Sequence, residues 1–342
     1  MTLWNLAKPL IFKFDAEHVH HAVLTSLKLT NTVCPALIRW ISGAKDTFEM
    51  DEVAGKLFPQ AVGLAAGFDK NAELLSVLPA LGFGFAEMGT VTARPQIGNE
   101  KPRLYRLPET SSLFNCMGFN NLGAKRIAQN IEKSKPHLTE FFRVGVNIGK
   151  NKDTALEDAA DDYRAAISYF NGLCDYVVIN VSSPNTVGLR SLQTSEALKP
   201  IIEKVLSVTQ RWSETPPLFL KLSPEICSAN EFENLIESTH RSGVQGYLLT
   251  NTLAAREFDK TGGLSGAVLT KKSASALTRF RNSFSYPLIS VGGIMDESEA
   301  CERMKLGADR IQIYSGWIYG GPRFPSRINR AISKFNSERS KI

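Results

Sequence analysis

Between Tyr176 and Arg190 the chain reads YVVINVSSPNTVGLR, a stretch that concentrates groups able to hold and work on a small polar molecule. Asn180 and Asn185 each carry a donor and an acceptor, and Ser183 stands between them with a hydroxyl on a residue that Pro184 keeps out of helical geometry. The opening residues, Tyr176 to Val181, are β-branched and nearly all apolar, the pattern of a strand buried on both faces in a parallel sheet. Polar groups therefore gather where a buried strand surfaces. Taken alone the stretch reads as an ordinary turn of Ser and Asn. Recurrence changes that: Lys70, Thr90, Asn147, Lys221 and Thr250-Asn251 also end apolar runs, and Asn115 sits in a long insertion. Gathered at one mouth, they form a site rich in carboxamides and lysines, without the His or carboxylate cluster a metal or a catalytic triad needs. Such a set suits a planar ligand gripped by its edges. Asp69 is the nearest carboxylate and is equally suited to fixing a backbone turn.

The elements that must position these groups recur along the chain. Apolar runs span Ala61–Gly67, Gly84–Thr90, Arg143–Gly149, Tyr176–Ser182, Leu218–Ser223, Gly246–Thr252, Leu288–Gly293 and Arg310–Gly316, eight in all. Amphipathic helical stretches lie between most of them, including Asp153–Phe170, Ser195–Trp212, Ser228–Ser242 and Lys271–Asn282. Buried strands alternating with helices eight times predict an α/β fold, a closed (β/α)8 TIM barrel, whose chemistry lies at the C-terminal strand ends. The long connection from Thr90 to Arg143 predicts a lid or binding loop. Phe48–Leu57 predicts a short hairpin around Gly55.

Ahead of the barrel, residues 1–45 read as a small helical extension, leaving 46–342 for the barrel domain. Leu3, Leu6, Ala7, Leu10, Ile11 and Phe14 fall at helical spacing, Pro9 is expected to kink or split that helix, and Asp15-Ala16-Glu17 opens a second one. These helices either pack on the barrel or lie in a lipid interface through their apolar faces, Trp4, Trp40 and cations.

Composition narrows the classes further. The chain has 342 residues, 43% hydrophobic, with 40 Lys and Arg against 34 acids, a net charge of +6. That mild, dispersed basicity fits an anionic substrate or membrane surface better than nucleic acid. Cys34, Cys116, Cys174, Cys227 and Cys301 are scattered and odd in number, which argues against a disulfide framework or a zinc site. No apolar run approaches the roughly 18 residues of a membrane span. Val291-Gly292-Gly293 and Tyr314-Ser315-Gly316 end the last two runs, with GGLSG at 262–266 before them. Glycines in that place suit backbone amides closing on a phosphate. A phosphate there and Lys221 on the fifth run are compatible with flavin mononucleotide (FMN), the lysine facing the flavin's pyrimidine edge.

Taken together, LAAGFDKNAE, GFAEMGTVTARPQIGNEKPRLYRL, NCMGFNNLGA, VNIGKNKDT, INVSSPNTVGLR, TNT, GGLSG, VGGI and RIQIYSG give a chain that resembles the class 2 dihydroorotate dehydrogenases, the membrane-associated, quinone-dependent group, nearly end to end. The resemblance implies oxidation of (S)-dihydroorotate to orotate in pyrimidine biosynthesis, with FMN as first acceptor and ubiquinone or menaquinone as second. It casts Ser183 as the base that removes the C5 proton. Lys70, Asn115, Met117, Gly118, Phe119, Asn180, Asn185, Asn251 and Thr252 match substrate-holding positions. Ala66, Gly67, Lys70, Thr90, Asn147, Asn180, Lys221, Thr250, Gly266, Gly293, Tyr314 and Ser315 match flavin contacts, while His20 and Arg106 match the quinone route. It favours the lipid-interface reading of the first helices and a peripheral place on the cytoplasmic side of the inner membrane, as a monomer that binds no nucleic acid. Since no His stands beside Ser183, Thr186 and an ordered water are expected to relay its proton. Cys116 departs from the usual class 2 pattern, where arginine is common, and is expected to be an inert packed thiol. Soluble class 1 relatives with another acceptor, and flavin barrels that reduce tRNA uridines, are the alternatives. The first place a cysteine where Ser183 stands, and the second need a further RNA-binding domain.

Overall fold

Apolar runs without a polar face cannot lie at a surface, and this chain buries them by closing them into a ring. The computed structural model describes residues 3–45 and 51–339. Three helices lead: α1 (Leu3–Ile11), α2 (Ala16–Val33) and α3 (Pro35–Ser42). The strands are β1 (Asp51–Val53), β2 (Lys56–Phe58), β3 (Val62–Leu64), β4 (Phe85–Val91), β5 (Leu104–Leu107), β6 (Ser112–Asn115), β7 (Arg143–Ile148), β8 (Tyr176–Asn180), β9 (Leu218–Leu222), β10 (Gly246–Leu249), β11 (Leu253–Glu257), β12 (Lys260–Gly266), β13 (Leu288–Val291) and β14 (Arg310–Ile313). Between and after them run α4 (Ala124–Ser134), α5 (Ala159–Ile167), α6 (Ser195–Thr209), α7 (Phe232–Arg241), α8 (Thr270–Ser283), α9 (Glu297–Lys305), α10 (Ser315–Gly320) and α11 (Phe324–Arg339). Strands β3, β4, β7, β8, β9, β10, β13 and β14 close in that order into one parallel barrel, and they are the eight runs expected from the sequence.

The N-terminal end of the barrel is plugged by aromatic rings fitted against glycines. Phe58 from the β1–β2 hairpin meets Phe85 edge to face at 5.0 Å, with Tyr176 at 5.9 Å. Gly63, Gly145 and Gly246 leave the room: a Cβ there would come within 2.2 Å of Phe85, 2.1 Å of Tyr176 and 2.3 Å of Phe219. The hairpin forms as expected around Ala54 and Gly55, both left-handed, while the earlier residues of that expectation, 48–50, lie outside the described residues.

The long insertion after β4 folds into more than a loop. β5 and β6 join β11 and β12 in a four-stranded antiparallel sheet, in the order β11-β12-β6-β5. This corrects part of the phosphate reading of 262–266: Gly262 and Gly263 are strand residues away from the cavity lining, and a Cβ on them would strike the carbonyl of Asn115 at 2.4 Å and the Thr252 hydroxyl at 2.1 Å. Gly is kept there by the close approach of a neighbouring strand and side chain.

Pro9 does not split the first helix. It stands two residues before the end of α1, where only the last turn is left to lose a donor. Asp15 caps α2 as expected, its Oδ1 accepting from the His18 amide at 2.8 Å. The helices dock through polar contacts at both ends, Trp4 Nε1 donating to the Tyr319 carbonyl at 3.0 Å and Ser42 Oγ to that of Ala80 at 2.7 Å. Between them Arg103 grips Glu17 with two bonds, of 2.8 and 3.2 Å. Both side chains are buried, and Arg103 also donates to the carbonyls of Ile97 and Asn99 in the insertion. Burial disfavours the Glu17 carboxylate, but the Arg103 guanidinium and Lys101 outweigh it and hold its carboxyl at about 2.

Glu17→Gln is therefore expected to destabilise the protein by roughly 3 kcal/mol at pH 7, because a buried guanidinium loses its counter-charge. Since the folded value lies below the ordinary 4.5, the contribution is present above that value and is lost as pH falls towards 2. Thermal melts of the two proteins should converge below pH 4; equal melting points at pH 7 would contradict this role.

Candidate active site

A cavity of about 1080 Å3, counting its open mouth, lies at the C-terminal ends of the barrel strands under the four-stranded sheet. A purely apolar barrel top would leave nothing to grip a ligand, but here polar residues close the strands in register. Asn180 at the end of β8 is paired with Lys221 on β9. Its Nδ2 donates to Thr90 Oγ1 at 2.9 Å and to Asn147 Oδ1 at 3.1 Å, and its Oδ1 accepts from Ser182 Oγ at 2.9 Å. Asn251 joins the same chain by donating to Ser182 Oγ at 2.9 Å. Each such atom is out of water and would cost about 1–3 kcal/mol unpaired, so the network fixes these rotamers.

The Ser183 loop is held from both sides. Ser183 Oγ accepts from the Asn185 amide at 3.2 Å, and Asn185 Nδ2 donates to Asn115 Oδ1 at 2.7 Å, tying the loop to the covering sheet. Arg190 clamps its base: Nε donates to the Ser182 carbonyl at 2.9 Å, Nη2 to the Thr252 carbonyl at 2.7 Å, and Nη1 pairs with Glu225 at 2.8 Å. Three βα loops are thus locked by one guanidinium.

Lys70, Lys221 and Tyr314 are the ionisable side chains lining the cavity. Lys70 Nζ donates to Asn120 Oδ1 at 3.0 Å. Burial, with the nearby Arg103 charge adding to it, brings the Lys70 ammonium down to about 7. Lys221 pairs at 3.1 Å with Glu87, a fully buried carboxylate beneath the floor that the sequence reading passed over. Asp69, the carboxylate singled out instead, accepts from the amides of Glu73 and Leu74 and serves a turn; burial raises it to about 6. Cys116 is buried against the Arg103 carbonyl, and burial pushes its thiol up.

Most residues named from the sequence line this cavity, Ser183, Lys70, Asn115, Asn185, Asn251 and Lys221 among them. Three do not. Asn147 lies one layer below, donating to Glu87 at 2.5 Å. Gly118 faces Asn99 and offers its carbonyl to Gln96. Thr186 is buried within the turn, its hydroxyl without a partner among the described residues. Gln312 lines the wall without having been named, and Ser265 and Gly292 line it from within the glycine motifs at 262–266 and 291–293. At the far wall Ser265 and Ser315 share a 2.8 Å hydrogen bond beside Gly266 and Gly293, both at positive φ, where a Cβ would hit backbone atoms at 2.5 and 2.4 Å. This backbone cradle with two hydroxyls fits a phosphate. Thr250, Thr252, Asn185 and Gln312 also carry buried oxygens without protein partners, as a polar ligand would require.

A second cavity of about 920 Å3 opens between the leading helices and α10, lined by Trp4, Ile11, Phe12, Val19, Val23, Phe68 and Trp317. His20 and Arg106 are its polar lining, as expected. His20 packs edge-on to Phe68 at 4.7 Å, and burial, with Lys70 and His21 adding to it, pushes its imidazole down to about 4, so it is neutral. Arg106 lies over the Phe12 ring at 4.9 Å and donates to the Phe14 carbonyl at 2.7 Å. Leu104, Leu113 and Tyr314 belong to both cavities and form the partition.

The family model described as dihydroorotate dehydrogenase matches residues 50–335. A dihydroorotate dehydrogenase (quinone) of Corynebacterium diphtheriae is 40% identical, covering 96% of this chain and 92% of that protein. One from Stenotrophomonas maltophilia is 39% identical, covering 97% and 96%. A crystal structure of DHODH from Eimeria tenella in complex with ferulenol matches the fold with a TM-score of 0.86 at 30% identity, covering 96% of this chain and 95% of that one. In sequence over nearly its full length, and in the barrel that sequence builds, the chain belongs to the dihydroorotate dehydrogenase family.

Proposed function

We propose that this chain oxidises (S)-dihydroorotate to orotate at the barrel mouth, with FMN as its first electron acceptor and a membrane quinone as its second. The observation that carries this reading is the pair of abutting cavities: one lined by carboxamides, a serine and lysines, the other nearly apolar, with Leu104, Leu113 and Tyr314 between. Lys221 and the Gly266 and Gly293 cradle would hold the flavin, which when bound would supply the acceptor for the hydride from C6 and a route for the electrons to quinone.

The chain's own groups do the rest. Asn115, Asn180, Asn185 and Asn251 offer donor and acceptor pairs to the planar substrate's edges, and Lys70 offers an ammonium to its carboxylate. Ser183 takes the C5 proton. Its hydroxyl is a weak base and no His or carboxylate lines the cavity to activate it, so the proton is relayed by Thr186, whose buried hydroxyl has no partner among the described residues, and a water. The barrel of residues 46–342 performs this chemistry, while residues 1–45 collect the quinone. Leu6, Leu10, Leu37 and Trp40 on those helices and Phe14 in the turn after the first are exposed, and none of the described helices is long and apolar enough to cross a membrane. Burying even part of that set in an interface contributes several kcal/mol at about 1.5–3 kcal/mol per large side chain. The protein thus works as a monomer lying on the cytoplasmic face of the inner membrane.

Ser183→Ala is expected to retain flavin but to slow its reduction by dihydroorotate by about 10²–10⁴-fold in anaerobic stopped flow, the usual contribution of a positioned base. Unchanged reduction kinetics would remove Ser183 from the mechanism. Lys70 makes a second prediction. Its ammonium is charged below about 7 and neutral above, so orotate affinity should fall as pH rises through that value, by up to about tenfold per unit. Calorimetry should show proton uptake on binding near pH 7.5, absent from Lys70→Met; a Kd constant from pH 6 to 8.5 would contradict the assignment.

A further inference from the structure

Glu87 is the only carboxylate on the eight barrel strands, and nothing above gives it a task. It is fully buried, in the middle of β4, and its Oε1 is 3.1 Å from Lys221 Nζ across the barrel interior. Asn147 Nδ2 donates to the same oxygen and Asn147 Oδ1 in turn accepts from Asn180 Nδ2, while Glu87 Oε2 has no partner among the described residues. Lys221 reaches the cavity wall; Glu87 and Asn147 do not. The ammonium therefore faces the ligand on one side and its counter-charge on the other.

A buried ammonium without a counter-charge gives up its proton, and a buried carboxylate takes one up. The pair removes that tendency at a desolvation cost that a neutral barrel floor would avoid. Packing alone does not call for it. The other ionisable groups facing this point are Tyr176 on β8, Lys70 across the cavity and Tyr314. Burial and the Glu87 charge push the Tyr176 phenol well up, so it is neutral, and no imidazole or carboxylate lines the cavity.

We propose that Glu87 is a positioning residue that keeps Lys221 protonated and aimed at the bound flavin, making the flavin's midpoint potential insensitive to the titration of that lysine across the working pH range. The proposal rests on the flavin reading of the cavity. With Glu87 present, the lysine's positive charge is fixed and locally balanced. Without it, the ammonium is uncompensated at low pH, which favours the more negative reduced flavin. At higher pH the proton leaves, and that preference goes with it.

The test is the midpoint potential of the purified holoprotein from pH 6 to 9, measured with reference dyes, for wild type, Glu87→Gln and Glu87→Asp. Glu87→Gln is expected to show an extra break in its potential-against-pH curve. Below the break, reduced over oxidised flavin should be favoured about tenfold more than in wild type, equivalent to ~30 mV for a two-electron couple. Glu87→Asp should follow wild type. A Glu87→Gln curve parallel to wild type overturns the proposal. If Glu87→Gln does not fold or hold flavin, the double variant Glu87→Gln with Lys221→Met decides. It carries neither buried charge and should fold and melt as wild type stripped of flavin does; if it too fails to fold, Glu87 is structural only and the proposal is overturned. Wild type purified without flavin would instead sink the reading of the cavity on which this rests.

Discussion

The mouth of this barrel is governed by the cost of taking polar atoms out of water. From Glu87 through Lys221 and Asn147 to Asn180, then to Thr90, Ser182 and Asn251, one hydrogen-bonded chain crosses the interior, linking β4, β7, β8, β9 and the loop after β10. Each member is expensive alone and satisfied together, so the set has one arrangement of lowest energy. That rigidity holds the Ser183 loop and the asparagines to a fixed geometry before any ligand arrives, which is what catalysis by positioning needs. The atoms left over, on Thr250, Thr252, Asn185 and Gln312, face the work that the network does not complete.

Around this floor the fold sets two environments side by side. The antiparallel sheet contributed by the insertion and by β11–β12 covers the polar cavity, and Leu104 and Leu113 on that sheet, with Tyr314 after β14, also wall the apolar one. The buried Glu17–Arg103 pair couples them mechanically: Glu17 lies on the helix that carries His20, and Arg103 braces the loop before Asn115 and Met117. A neutral His20 keeps the second cavity hospitable to an apolar molecule, and Arg106 supplies one polar anchor there.

How much of this was legible in the sequence follows from the range of the forces involved. The barrel was readable because each buried strand declares itself locally, by an unbroken apolar run ended by a turn. Ser183, the asparagines, Lys70 and Lys221 were readable for the same reason, since they stand where those runs end. The covering sheet was not: β11 alternates half-exposed and exposed residues, and β12 is so rich in glycine that it reads as a loop until Asn115 and Thr252 are seen pressed against it. Glu87 was passed over because its lysine is 134 residues away in sequence and adjacent only once the ring closes. Glu17 and Arg103, 86 residues apart, escaped for the same reason. Asn147 was placed at the wall and lies a layer below it, a difference that depends on the stagger of β7.

The central claim is that electrons taken from dihydroorotate in the polar cavity leave through the apolar one. Anaerobic addition of dihydroorotate to the yellow holoprotein, followed by separate additions of a soluble quinone, fumarate and NAD, tests it most directly. The flavin band should bleach with dihydroorotate and recover with quinone alone. Recovery with fumarate or NAD and none with quinone would contradict it.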